Sequence, residues 1–179
     1  MKDFLKFAPH ALIIALLAGL MQLLDLQSGG YFFAWVGFAA WACYFLAGCT
    51  PKGGVKVISC WVTGVIASVA IIELGLKLTE ASGNASVGFP IAVGFIAFFV
   101  ILFEKVPGLD FIPAWFVGAA CFFGANNLLG GDYSKSIPVI LISCVVGQIF
   151  GVVTVALRTK YGAMVDAEGE QEAASGEAA

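Results

Sequence analysis

Few residues in this chain could do chemistry, and their spacing limits what that chemistry is. A lysine stands beside paired glycines in "CTPKGGVK", residues 49–56. A phosphate-cradling loop needs its lysine directly after the second glycine and then Ser or Thr, so that backbone amides and an ammonium converge on one anion. Here Lys52 precedes Gly53 and Gly54, and Val55 follows, so the spacing fails. Pro51, Lys52, Gly53 and Gly54 are expected instead to form a cytoplasmic turn: Pro51 ends a span, and Lys52 and Lys56 anchor at the headgroups. A helix-end anion site on the same amides is the alternative. Five cysteines without a C-x-x-C pair and a single histidine offer no metal-ligand spacing, so no metal and no cofactor is expected. The cysteines read as small, polarizable packing residues. With no Ser-His-Asp set and no paired carboxylates the chain is not expected to be an enzyme. Its dispersed bases argue against a nucleic-acid partner.

Ionisable groups at depth, which usually mark ion coupling or proton relays, are nearly missing. His10 and Asp25 fall near opposite ends of the first apolar run, and Glu73 precedes Lys77 by one helical turn as an i,i+4 pair. The candidates to line a solute route are neutral: Gln148, Thr63, Asn126, Asn127, Trp35 and Trp115. A mid-span amide such as Gln148 needs a partner in hydrocarbon, whether helix, water or solute. The Asn pair either lines the route or ends a helix. Trp35 and Trp115 belong to an interfacial aromatic belt, or, facing inward, form constrictions at two mouths.

The elements that must position these residues follow from composition. Hydrophobic residues are 60% of the 179 and charged ones 12%, with mean hydropathy +0.97, against about 45–50% and about 25% in soluble domains. This chain is built for lipid. Crossing about 30 Å of hydrocarbon takes about 20 apolar residues in a helix. Six stretches are expected to do so: 7–26, 31–48, 57–78, 87–103, 111–129 and 137–157. The loops between them carry Gly, Pro, Asn and Ser, and the first stretch lacks a convincing signal cleavage site. Seven Lys and Arg fall in loops on the side of the N-terminus and two, Lys77 and Lys135, on the other. That bias places both termini in the cytoplasm.

Five of the twelve acids lie in the last fourteen residues; without them nine bases face seven acids, so the formal charge of −3 describes a tail. Residues 161–179 are expected to be an acidic, disordered cytoplasmic tail.

The two halves of the remainder, about 1–80 and 81–160, echo each other. "ISCWVTGVIA" from Ile58 matches "ISCVVGQIFG" from Ile142; Ala34, Trp35, Ala39 and Ala40 match Ala114, Trp115, Ala119 and Ala120; "YFLAGCTPKGG" faces "CFFGANNLLGG" 77 residues on. Three spans per half is an odd number, so a duplication would set the halves in opposite orientations, as in many transporters. Small residues at spacings of four, Ser143, Gly147 and Gly151 on the sixth span, Ser59 with Thr63 and Ala67 on the third, and Ala11, Ala15 and Gly19 on the first, suit close helix packing within one subunit or in a homo-oligomer. The expected fold is all-α: a polytopic membrane protein of six transmembrane helices in two inverted three-helix repeats. Its expected role is a channel-like facilitator or transporter of a small neutral or weakly polar solute, a non-transporting docking subunit being the alternative.

The aromatic and small run ending in Cys49, Pro51, Gly53 and Gly54, the "VPG" of residues 106–108, and Gly147–Gly151 in the last span together resemble a family of small bacterial inner-membrane proteins known as domain of unknown function 1097. The likeness covers most of residues 10–157. It implies a bacterial inner-membrane, multi-pass protein, and it supplies no binding or catalytic residue.

Overall fold

The computed structural model describes the backbone of residues 2–176 and the side chains of residues 7–165. Over that range the chain forms α1 (Lys2–Gln27), α2 (Ala34–Leu46), α3 (Pro51–Ser82), α4 (Ala85–Leu102), a 3-10 turn (Phe103–Lys105), α5 (Ile112–Leu128) and α6 (Tyr133–Gly176), and no strand. Lys2 and Lys6, used above for orientation, have side chains outside the described residues, as do the five tail acids; the α6 backbone itself is helical to Gly176.

Four helices are long and apolar enough to cross a membrane: Phe7–Gln27, Pro51–Ser82, Ala85–Lys105 and Tyr133–Val165. The second expected span, 31–48, is shorter than anticipated. With 13 residues, α2 rises about 20 Å, below the ~30 Å of hydrocarbon. The loop before it uses the missing turn: Gly30 takes φ 91°, and the Ser28 hydroxyl donates to Asp25 O and accepts from the amides of Gly30 and Phe32. Tyr31, Phe32 and Phe33 are apolar by type, but their backbone belongs to a turn.

Pro51–Gly54 is corrected as well, because these residues open α3 instead of forming a turn. Thr50 is the N-cap, its Oγ1 accepting from Gly53 N at 3.0 Å, and Pro51 stands where an N–H would find no partner anyway. Thr50→Ala should cost about 1 kcal/mol, lowering the thermal midpoint in detergent by roughly 3 °C, whereas Thr50→Ser should leave it in place. At its far end α3 runs to Ser82, Gly83 (φ 68°) stops it, and Asn84 caps α4 through Ser86 N at 2.9 Å. A two-residue junction therefore replaces the longer expected loop.

Each short helix packs chiefly on the last helix of the other half of the chain: α2 on α6 and α5 on α3. Glycine makes both approaches possible. A methyl at Gly147 would lie 2.5 Å from the carbonyl oxygen of Gly37 in α2, and a methyl at Gly64 would lie 2.5 Å from that of Trp115 in α5. Gly151 holds the Tyr44 ring. Around these contacts Trp61, Phe122, Tyr44 and Ile140 are fully buried. The outer helices α1 and α4 instead turn rows of Leu and Phe outward, including Leu12, Leu16, Leu20, Phe95 and Phe98.

The junctions of the two halves repeat one another bond for bond. Before α2, Tyr31 N donates to Ser28 O and Val36 N to Phe33 O; before α5, Leu109 N donates to Val106 O and Ala114 N to Phe111 O, always 78 residues on. Gly30 (φ 91°) and Gly108 (φ 87°) keep the same spacing. After α2, Ala47 N, Gly48 N and Cys49 N donate to the carbonyls of Cys43, Phe45 and Tyr44; after α5, Leu129 N, Gly130 N and Gly131 N donate to those of Ala125, Asn127 and Asn126, now 82 residues on. A side-chain cap follows each at the same 82-residue spacing, though to different amides: Thr50 Oγ1 accepts from Gly53 N, three residues on, and Asp132 Oδ1 from Ser134 N, two residues on. The spacing grows by four because α5 has 17 residues and α2 has 13, a difference of one turn.

Candidate functional site

Ion pairing fixes the bundle ends and leaves the interior neutral. Lys56 Nζ meets Asp110 Oδ2 at 3.0 Å, tying the start of α3 to the loop before α5. The hydrogen bond from Lys56 holds the Asp110 carboxyl below its usual range. Asp132, hydrogen-bonded by Ser134 first and Lys135 second, is lowered likewise. Glu73, expected to pair with Lys77, accepts instead from Tyr133 Oη at 2.9 Å, joining α3 to α6. No group of three or more His, Cys, Asp or Glu able to hold a metal occurs among the described residues.

The residues anticipated for a solute route are not gathered in one place. Gln148 is 4% exposed; its Nε2 donates to Ala40 O at 2.6 Å, bridging α6 to α2, while its Oε1 has no protein partner. That oxygen faces Gly54 at the start of α3. Thr63 spends its hydroxyl on the carbonyls of Ser59 and Cys60, within its own helix. Asn126 lies near the far end of the bundle, where its Oδ1 accepts from Ser136 Oγ at 2.9 Å. Asn127 is exposed, and both Asn carbonyls accept amides of the turn that ends α5. The matched tryptophans part company: Trp35 is 43% exposed and lies over Gly124, whereas Trp115 is 4% exposed, stacks on Phe103 and donates Nε1 to Leu109 O at 2.9 Å.

Of the packing candidates, Gly147 and Gly151 are consumed against α2, and Ser143 accepts from Phe33 N at 3.0 Å. Ser59 bonds to Val55 O in its own helix. Sequence reasoning missed two groups beside Gln148. The indole nitrogens of Trp41 and Trp61 are buried without partners, as are Thr79 Oγ1, His10 Nδ1 and Arg158 Nε nearer the helix ends. An apolar crevice of about 230 Å³ also opens between α4 and α5, floored by α3 and lined by Ile71, Val93, Val100, Trp115, Phe116 and Phe123. Its signal was the run of small residues, Gly64, Ala67, Ala119 and Ala120, where α3 and α5 meet it.

Long apolar helices with outward Leu and Phe rows, a nearly uncharged interior and ion pairs confined to the ends mark the chain as a helical membrane protein. It belongs to the family described as Protein of unknown function (DUF1097), whose model matches residues 11–158. No curated protein and no solved structure matches the chain.

Proposed function

We propose that the chain is a channel-like facilitator or transporter of a small neutral or weakly polar solute in a bacterial inner membrane. On this reading residues 1–160 form two inverted three-helix halves with both termini in the cytoplasm. The observation that carries it is the bond-for-bond agreement of the junctions flanking α2 and α5, together with the reciprocal packing of each short helix on the opposite half. Two such halves, related by an axis in the membrane plane, can rock against each other around a fixed site. The neutral character of Gln148 Oε1 and of the Trp41 and Trp61 indoles supports an uncharged solute, because a buried ion would need paired or charged partners.

A second reading, a subunit that docks a copy of itself, is favoured by one surface. Ala11, Ala15 and Gly19 lie exposed along α1, with nothing within 4 Å of a methyl placed at Gly19. Purified protein in liposomes, followed by light scattering during water, polyol, amide and organic-acid gradients, separates the two. Flux above empty vesicles for at least one solute is expected; flux equal to empty vesicles for all of them would overturn the first reading in favour of the second.

A further inference from the structure

A pocket of about 310 Å³ opens where the first turns of α1, the α2–α3 turn and the C-terminal half of α6 meet. His10, Phe45, Cys49, Thr154, Arg158 and Thr159 contribute to its wall. Two polar atoms on it are buried and have no protein hydrogen-bond partner: Nε of Arg158 and Nδ1 of His10. Of the other polar groups, Thr154 Oγ1 donates to Phe150 O at 2.7 Å and Cys49 Sγ to Phe45 O, and Thr159 is exposed. The His10 ring is held edge-on by Tyr161, with centroids 4.9 Å apart, and tilted against Phe7. No carboxylate lines the pocket among the described residues.

A guanidinium stays charged under all ordinary conditions and presents its donors in a planar fork that matches two oxygens of one phosphate. A buried guanidinium nitrogen without an acceptor is costly, and a tetrahedral anion would satisfy it together with the imidazole. Arg158 follows Val152, Val153 and Leu157, all exposed and apolar, and Lys160 comes just after it. The pocket thus sits where the apolar surface of α6 gives way to charge, at headgroup level. Phe45 and Val155 add apolar wall beside the cation.

We infer that this pocket binds a phosphate group, held by the Arg158 fork and His10, and that its source is the headgroup of an anionic phospholipid. The site does not depend on transport. The test is native mass spectrometry of the full chain in detergent, titrated with phosphatidylglycerol, with a neutral glycolipid lacking phosphate, and with inorganic phosphate as competitor. Wild type should retain phosphatidylglycerol and not the glycolipid. Arg158→Gln should weaken retention about tenfold, as loss of a charge-assisted hydrogen bond implies. His10→Gln should weaken it less, and Lys160→Gln, at an exposed position two residues on, should not change it. Displacement of the lipid by millimolar inorganic phosphate would overturn the lipid source and assign the site to the free anion. Equal retention by Arg158→Gln and wild type, or equal loss in Lys160→Gln, would overturn the site itself. Because each variant is read on the folded, monodisperse species, His10→Gln keeps the test open should Arg158→Gln fail to fold.

Discussion

Gly147→Ala is expected to lower the midpoint of thermal unfolding by roughly 10 °C. The added carbon would lie 2.5 Å from Gly37 O, 2.7 Å from Ala40 Cβ and 2.9 Å from Trp41 N. Two of these are backbone atoms inside α2, which cannot rotate aside as a side chain can, so α6 and α2 must separate. Overpacking of that kind costs about 3 kcal/mol, and a chain of this size loses about 2–4 °C per kcal/mol. Gly64→Ala, whose methyl would meet Trp115 O at 2.5 Å, should behave alike, through the other pair of helices. Gly94→Ala is the control of opposite sign. Nothing lies within 4 Å of its new methyl, and alanine is the better helix former by about 1 kcal/mol, so its midpoint should hold or rise. Fluorescence-detected size exclusion after a temperature ramp reads all three. An unchanged midpoint in Gly147→Ala would mean that α6 and α2 are not in backbone contact.

Gln148→Leu should separate stability from function. It removes the hydrogen bond to Ala40 O, worth about 1 kcal/mol, and also an unpartnered buried oxygen whose desolvation costs about 1–3 kcal/mol. The two nearly cancel, so the protein should fold and reconstitute like wild type. Solute flux should nonetheless fall at least about tenfold, the consequence of about 1.4 kcal/mol lost from the polar step of the route. Thr63→Val is the comparison: its hydroxyl serves only the Ser59 and Cys60 carbonyls of its own helix, and flux should persist. Light scattering on vesicles matched for protein content reads both. Full flux in Gln148→Leu would remove this residue from the route.

Helix content was legible because long apolar runs admit few other structures in lipid. The runs that became α1, α3, α4 and α6 are apolar over at least a bilayer's thickness, and hydropathy alone finds them. Boundaries were not legible where apolar residues sit in turns: Tyr31, Phe32 and Phe33 are indistinguishable by type from span residues, yet Gly30 and the Ser28 hydroxyl hold them outside α2. The same holds at Pro51, where a proline that could end one helix instead begins the next. The internal echo was visible but misaligned. Letter matches suggested spacings of 84, 80 and 77, whereas the hydrogen bonds run at 78 before the short helices and 82 after them. One extra turn in α5 separates those values, and a fixed letter alignment averages over it. Trp35 and Trp115 fall between the two registers, so equal spacing put one on the surface and the other inside. Function was least legible. Whether a neutral amide meets a carbonyl or nothing is decided by tertiary packing, and Gln148 does both at once, through Nε2 and Oε1.

The inverted arrangement of the two halves is tested most directly by labelling single cysteines, placed one at a time in a cysteine-free chain, with a membrane-impermeant maleimide on intact cells. Positions 49 and 108 close the turns at one end of the bundle, and positions 30, 84 and 131 those at the other. Labelling from outside at 30, 84 and 131, and at 49 and 108 only after the membrane is opened, is the expected result. Positions 30 and 108 labelling from one and the same side would contradict it, because the two matching loops would then point in the same direction.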